Sequence, residues 1–99
     1  MTPREALTTL DRLLATCDSA DERRDLLADL LTEAELVDLA QRWEIVRRVL
    51  EGIPQRTVQR EVGVSISLVT RASNALKARG KGFRRAFRRF ASEDAPKTR

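Results

Sequence analysis

The stretch PQRTVQREVGVSISLVTRASNALK, residues 54–77, constrains the fold of this chain more than any other. Pro54 opens it with a backbone angle suited to a first helical turn, Gly63 interrupts it, and Ser65 stands where a hydroxyl can cap a second helix. Val58, Val62, Val64, Ile66 and Val69 give the two short helices an apolar seam, and Gly63 supplies a turn that residues with a side chain resist. This is a helix-turn-helix pattern. Its geometry suits double-stranded DNA: the second helix fits the major groove and its first turn presents side chains to base edges. Backbone N–H groups and the preceding helix hold phosphates. Gln59 departs from the small residue usual at such a crossing, so it must point outward or widen the crossing. A helical hairpin with a glycine turn also occurs in proteins that never meet DNA, and the pattern alone leaves that structural reading open.

The rest of the chain reads as helix too, which predicts an all-α protein of six helices. Thr2 caps a first helix with Pro3 inside it, and Leu7, Leu10, Leu13, Leu14 and Cys17 form its apolar stripe. Ser19 or Asp21 caps a second, edged by Leu26, Leu27, Leu30 and Leu31. Thr32 and Glu35 stand in capping-box spacing before the longest helix, which stops at Gly52 and carries Leu36, Leu39, Ala40, Trp43, Val46 and Leu50 on one broad face. After the hairpin, Phe83, Phe87 and Phe90 make one apolar stripe, with Arg84, Arg85, Arg88 and Arg89 around it. Alone, that last helix would suit a membrane surface or a protein partner; joined to a domain short of buried area, it suits packing. Residues 1–91 are expected to form a single domain, and SEDAPKTR, residues 92–99, a disordered tail.

Ninety-nine residues bury only about two-thirds of their unfolded surface, so a second subunit is expected to complete the core. No apolar run spans a bilayer and the N-terminus lacks a signal pattern, which predicts a cytoplasmic protein with no membrane association. Cys17 is the one cysteine and histidine is absent, which leaves neither an internal disulfide nor a plausible zinc set. The acids are scattered along helix faces beside bases, and ARGKG lacks the spacing of a phosphate loop, so no enzyme and no cofactor are expected. The charge is uneven. Residues 1–35 set four arginines against nine acids, a net of −5, whereas residues 36–99 set fifteen bases against six acids, a net of +9. A polyanion is the natural partner of the second half, although a basic face can also be an ordinary solvated one.

The order of these parts resembles the tryptophan repressor family. The resemblance runs from LLTEAELVDLAQRWEIVRRVLEG through the hairpin and rests on LT, the arginine of QRW ten residues on, QR opening the first hairpin helix, and TR.SN.LK in the second. It implies an intertwined homodimer on a palindromic operator, with L-tryptophan or a related small aromatic acid as corepressor between the central and recognition helices. Carried across, Arg42 and Arg71 would hold the ring between guanidinium planes, and Arg71 would also meet the carboxylate. Ile45 and Val46 would line the pocket; carbonyls near Leu31, with Thr32, would meet the ammonium group from the partner chain. Base edges would be read by Arg56, Ile66, Ser67 and Thr70, with Gln55, Gln59, Leu68 and Lys77 positioning the backbone or shaping the interface.

Two positions depart from the family pattern. Ala72 stands where glycine is common and Ala75 where a serine is common, adding a methyl beside the ring and removing a hydroxyl near the ammonium. The link before Gln55 is also one residue shorter, which could tilt the hairpin. For Arg71, phosphate contact is the alternative to a ligand clamp; for Trp43, plain packing is the expected role. At the level of function, the alternatives are a ligand-independent DNA binder and a protein-interaction or membrane-surface module using the basic C-terminal helix.

Overall fold

The computed structural model describes residues 1–94, as six helices: α1 (Pro3–Ala15), α2 (Ala20–Leu30), α3 (Glu33–Leu50), α4 (Gln55–Val62), α5 (Ile66–Ala78) and α6 (Lys81–Asp94). The expected all-α class is therefore found. The chain divides into two compact units, Met1–Asp38 and the residues from Leu39 onward, with α3 beginning in the first and ending in the second.

In the first unit, local capping decides where helices start. Thr2 accepts from the Glu5 N–H at 3.1 Å and its own N–H donates to Glu5 Oε1 at 3.2 Å, a reciprocal box that holds the Glu5 carboxyl below its ordinary pKa. Of the two candidate caps for α2, the one used is Ser19, whose hydroxyl accepts from the Glu22 N–H at 3.1 Å. Thr32 and Glu35 repeat the box at the start of α3, at 2.9 and 3.1 Å. The leucine stripes form as expected, yet no residue of α1 or α2 is buried. Leu7 is 70% exposed, and Leu10, Leu14, Leu27 and Leu30 are exposed as well. Cys17 is half-buried, with a free thiol.

The second unit holds the core. Ile45 of α3, Val58 of α4 and Val69 of α5 are fully buried, and Val49, Ile53, Val62, Val64, Leu68 and Ala72 pack around them. This is the valine seam expected from the sequence, with one correction: Ile66 is 45% exposed and outside the core, because at the first position of α5 it stands beside Arg56 and Gln59 instead of among the valines. One ion pair, Arg48 with Glu61, crosses the α3–α4 joint, and others brace the end of α3. Arg48 Nε donates to Glu61 Oε1 at 3.0 Å and its Nη1 to Glu44 Oε1 at 2.6 Å, while Arg47 bonds Glu44 and Glu51 at 3.0 and 2.8 Å. Trp43 is half-buried and meets α6, stacked on Phe83 with ring centres 6.3 Å apart and edge-on to Phe90 at 5.7 Å.

No glycine or proline stands between Gly82 and Pro96 to stop it, and α6 continues to Asp94, three residues into the stretch expected as a disordered tail. Residues 95–99 of that stretch lie outside the described residues. Among the described residues, no helix is long and apolar enough to cross a membrane.

Candidate nucleic-acid interface and adjoining cleft

Pro54, at φ −59°, precedes α4 as its N-cap rather than forming its first helical residue. Gly63 then ends α4 in the left-handed conformation, φ 78° and ψ 41°, with its N–H bonded to the Gln59 carbonyl at 2.9 Å. Ser65 restarts the chain as a helix two residues later, its hydroxyl accepting from the Leu68 N–H at 3.2 Å. The Thr70 hydroxyl bonds both Gln55 Oε1 at 3.1 Å and the Ile66 carbonyl at 3.0 Å, tying the second turn of α5 to the start of α4. This is the helix-turn-helix hairpin in full.

Gln55, Arg56, Ile66, Ser67, Thr70 and Lys77 all lie exposed on it. Gln59 is half-buried instead, and with Arg56 and Ile66 it lines a small groove of about 230 Å³ between the two helices. Of the two arrangements expected for Gln59, the structure therefore takes accommodation at the crossing. Leu68, grouped from the sequence with the DNA-facing residues, is half-buried, packs on the core and faces a different cavity.

That cavity is a cleft of about 280 Å³ walled by α3, α5 and the start of α6. Arg42, Ile45 and Val46 come from α3; Leu68, Arg71, Ala72 and Ala75 come from α5; Arg79 and Phe83 complete it. Six of the eight expected ligand residues thus meet in one place. The other two, Leu31 and Thr32, belong to the first unit. Arg79 and Phe83 were missed from the sequence, although a helical signal for Arg79 existed: Leu68, Ala72, Ala75 and Arg79 follow one another at spacings of four, three and four along one face.

The arginines of the second unit differ sharply in how they are occupied. Arg47 and Arg48 are held by Glu44, Glu51 and Glu61, and the hydrogen bonds from Arg48 and then Arg47 lower the Glu44 carboxyl pKa. Among the described residues, Arg42, Arg71 and Arg79 have no carboxylate within ion-pair distance. The cleft therefore combines an apolar floor with unneutralised guanidinium groups, which suits a small anion bearing a ring. Among the described residues, no group of metal-ligating side chains assembles.

An all-helical chain with a helix-turn-helix hairpin beside such a cleft has the architecture of a DNA-binding regulator. Residues 5–91 match the family described as Trp repressor protein, and the chain belongs to that family. It is similar to a Trp operon repressor homolog of Chlamydia trachomatis serovar L2, with 42% identity over 62 residues covering 62% of this chain and 66% of the relative. A homolog of the same description from Xylella fastidiosa is 33% identical over 78 residues, covering 78% of this chain and 85% of the relative. A third, from Chlamydia caviae, is 46% identical over 55 residues, and the chain spans only 54% of its length. The family and the names of these relatives are those of transcriptional repressors. No solved structure matches the chain.

Proposed function

We propose that the protein is a homodimeric, sequence-specific DNA-binding repressor of the cytoplasm, gated by L-tryptophan or a related small aromatic acid. The observation that carries this reading is the double use of α5: its exposed first turns bear Ile66, Ser67 and Thr70, while Leu68, Arg71, Ala72 and Ala75 wall the cleft. A ligand in the cleft would therefore bear directly on the helix that enters the groove. Arg56, Ile66, Ser67 and Thr70 read base edges, while Gln55, Gln59 and Lys77 position the backbone. Leu68 shapes the junction from the cleft side. Arg42 and Arg71 clamp the ring of the effector, Ile45, Val46, Ala72 and Ala75 surround it, and Leu31 and Thr32 of the second copy meet its far end.

A second copy is also what the uncovered leucines of α1 and α2 require, since a 99-residue chain leaves its apolar stripes wet without one. Residues 1–91 act as one domain in that dimer, on a palindromic operator. A membrane-surface role fits α6 less well, because Phe83 and Phe90 are engaged with Trp43. A ligand-independent repressor is the second reading, favoured by the two alanines that narrow the cleft and strip it of a hydroxyl.

Selection from a random duplex library, with and without tryptophan, tests the proposal. A palindrome should be enriched, its affinity should fall log-linearly with salt, and tryptophan should tighten binding. Vesicle binding as tight as duplex binding would sink the reading, and unchanged operator affinity at saturating tryptophan would eliminate tryptophan as the effector.

A further inference from the structure

Arg79 is the residue of the cleft that packing and capping leave unexplained. It is the C-cap of α5, where an arginine ordinarily bonds the last carbonyls of the helix and offsets its dipole. Two of those carbonyls are already occupied. The Ala75 carbonyl accepts from the Arg79 backbone N–H at 2.8 Å, and the Leu76 carbonyl accepts from Arg84 Nη2 at 3.0 Å. Arg84 Nη1 also bonds the Arg79 carbonyl at 3.2 Å. Gly80 makes room for this cap: a Cβ there would lie 2.7 Å from Arg84 Nη1 and 2.9 Å from Leu76 Cδ2. With Arg84 closing the helix, the Arg79 guanidinium has no hydrogen-bond partner among the described residues and lines the cleft with Arg42 and Arg71.

The remaining lining is Ile45, Val46, Leu68, Ala72, Ala75 and Phe83, which includes neither a carboxylate nor a neutral hydrogen-bonding side chain. Three like charges around one small apolar cleft repel one another, and a ligand with a single carboxylate leaves part of that repulsion in place. A second anionic group relieves it, and each guanidinium fork can hold such a group through two parallel hydrogen bonds.

We propose that Arg79 makes this cleft selective for an aromatic acid bearing a second anionic group, over a simple monoanion or a zwitterionic amino acid. The inference rests on the reading of the cleft as the effector site. The test uses the full chain and a matched pair of acids, homophthalate with two carboxylates and phenylacetate with one, each titrated calorimetrically, with tryptophan as a third probe. Homophthalate should bind about tenfold more tightly than phenylacetate, the effect of one well-formed charged contact. Arg79→Gln should abolish that preference while leaving phenylacetate within about twofold, and Arg71→Gln should weaken both acids. Arg79 is exposed, so its variant should melt as the wild type does, and the preference in the wild type needs no variant at all. Equal affinity of the wild type for the two acids, or a preference that survives Arg79→Gln, would overturn the role of Arg79 and leave the effector cleft standing. Failure of all three probes to bind would overturn the effector cleft itself, and the proposal with it.

Discussion

The Thr70 hydroxyl lies 3.1 Å from Gln55 Oε1, a side-chain bond between the two helices of the hairpin, fifteen residues apart in sequence. It bridges the start of α4 and the second turn of α5, beside the buried contact of Val58 with Val69. The same hydroxyl also reaches the Ile66 carbonyl at 3.0 Å, so losing Gln55 leaves Thr70 satisfied. Gln55→Ala should therefore cost only about 0.5 kcal/mol in chemical denaturation, the low end for a neutral, exposed hydrogen bond. Its larger effect should fall on operator affinity, measured by fluorescence anisotropy, because the hairpin angle sets which side chains reach the bases.

Arg56 is exposed beside Gln59 and Ile66 at the rim of the interhelical groove. If it reads a guanine, Arg56→Ala should cost about 1–3 kcal/mol at one base pair and relax the preference there. A uniform loss across all duplexes, with a shallower salt slope, would make it a phosphate contact instead.

The hairpin was legible in the sequence because its determinants are local: Gly63 for the turn, Ser65 for the cap, valines at helical spacing. The cap at Thr2 and the capping box at Thr32 were legible for the same reason. Ile66 misled because its spacing fits the seam while its place at the first position of α5 turns it outward. Leu68 and Arg79 lay on a readable stripe of α5, but which stripe faces a cavity depends on where α3 and α6 pack. The Arg84 cap on α5 could not be foreseen, since it joins residues eight apart across a turn whose path follows from the close approach at Gly80. For the leucines of α1 and α2, the sequence shows stripes that need cover, and Leu7, Leu10, Leu14, Leu27 and Leu30 are exposed in the structure.

Gly63 and Gly80 both have positive φ, 78° and 126°, but replacing them should have different consequences. A Cβ at Gly63 meets open space, so Gly63→Ala should cost about 1–2 kcal/mol from backbone strain alone. Gly80→Ala should cost more, because the methyl also displaces Arg84 from the Leu76 carbonyl. Urea denaturation of the two variants checks the order. Hydrogen exchange at the end of α5 should rise only in Gly80→Ala.

Glu44 gives the fold a pH dependence whose sign follows from its partners. Hydrogen bonds from Arg48, and then from Arg47, lower its carboxyl pKa in the folded chain relative to its ordinary value of 4.5. The unfolded chain therefore takes up this proton first as pH falls. The contribution is complete above pH 4.5 and is lost as pH drops through the lower, folded value. The Glu44 side chain is 40% exposed, so solvent screening holds each pair to about 0.2–1 kcal/mol. Glu44→Gln should lower the melting temperature at neutral pH and flatten its decline between about pH 5 and pH 2, until the two proteins converge. Parallel wild-type and variant curves across that range would remove Glu44 from the acid response.

Ala72 and Ala75 wall the cleft on α5, at two positions where the resemblance to the family implies a glycine and a serine. Ala75→Ser returns a hydroxyl able to accept from an ammonium group, and one such bond is worth about 0.5–1.5 kcal/mol, tenfold in affinity at most. Ala72→Gly removes a methyl from the same wall but loosens the helix by about 1 kcal/mol. The double variant should therefore bind tryptophan more tightly and melt at a lower temperature than the wild type. Calorimetric titration separates the two effects. A gain from Ala75→Ser alone points to the ammonium group, while a gain that needs Ala72→Gly points to crowding of the ring. No gain in either variant would mean that these alanines do not limit tryptophan binding, and that the narrow wall they form has no part in effector choice.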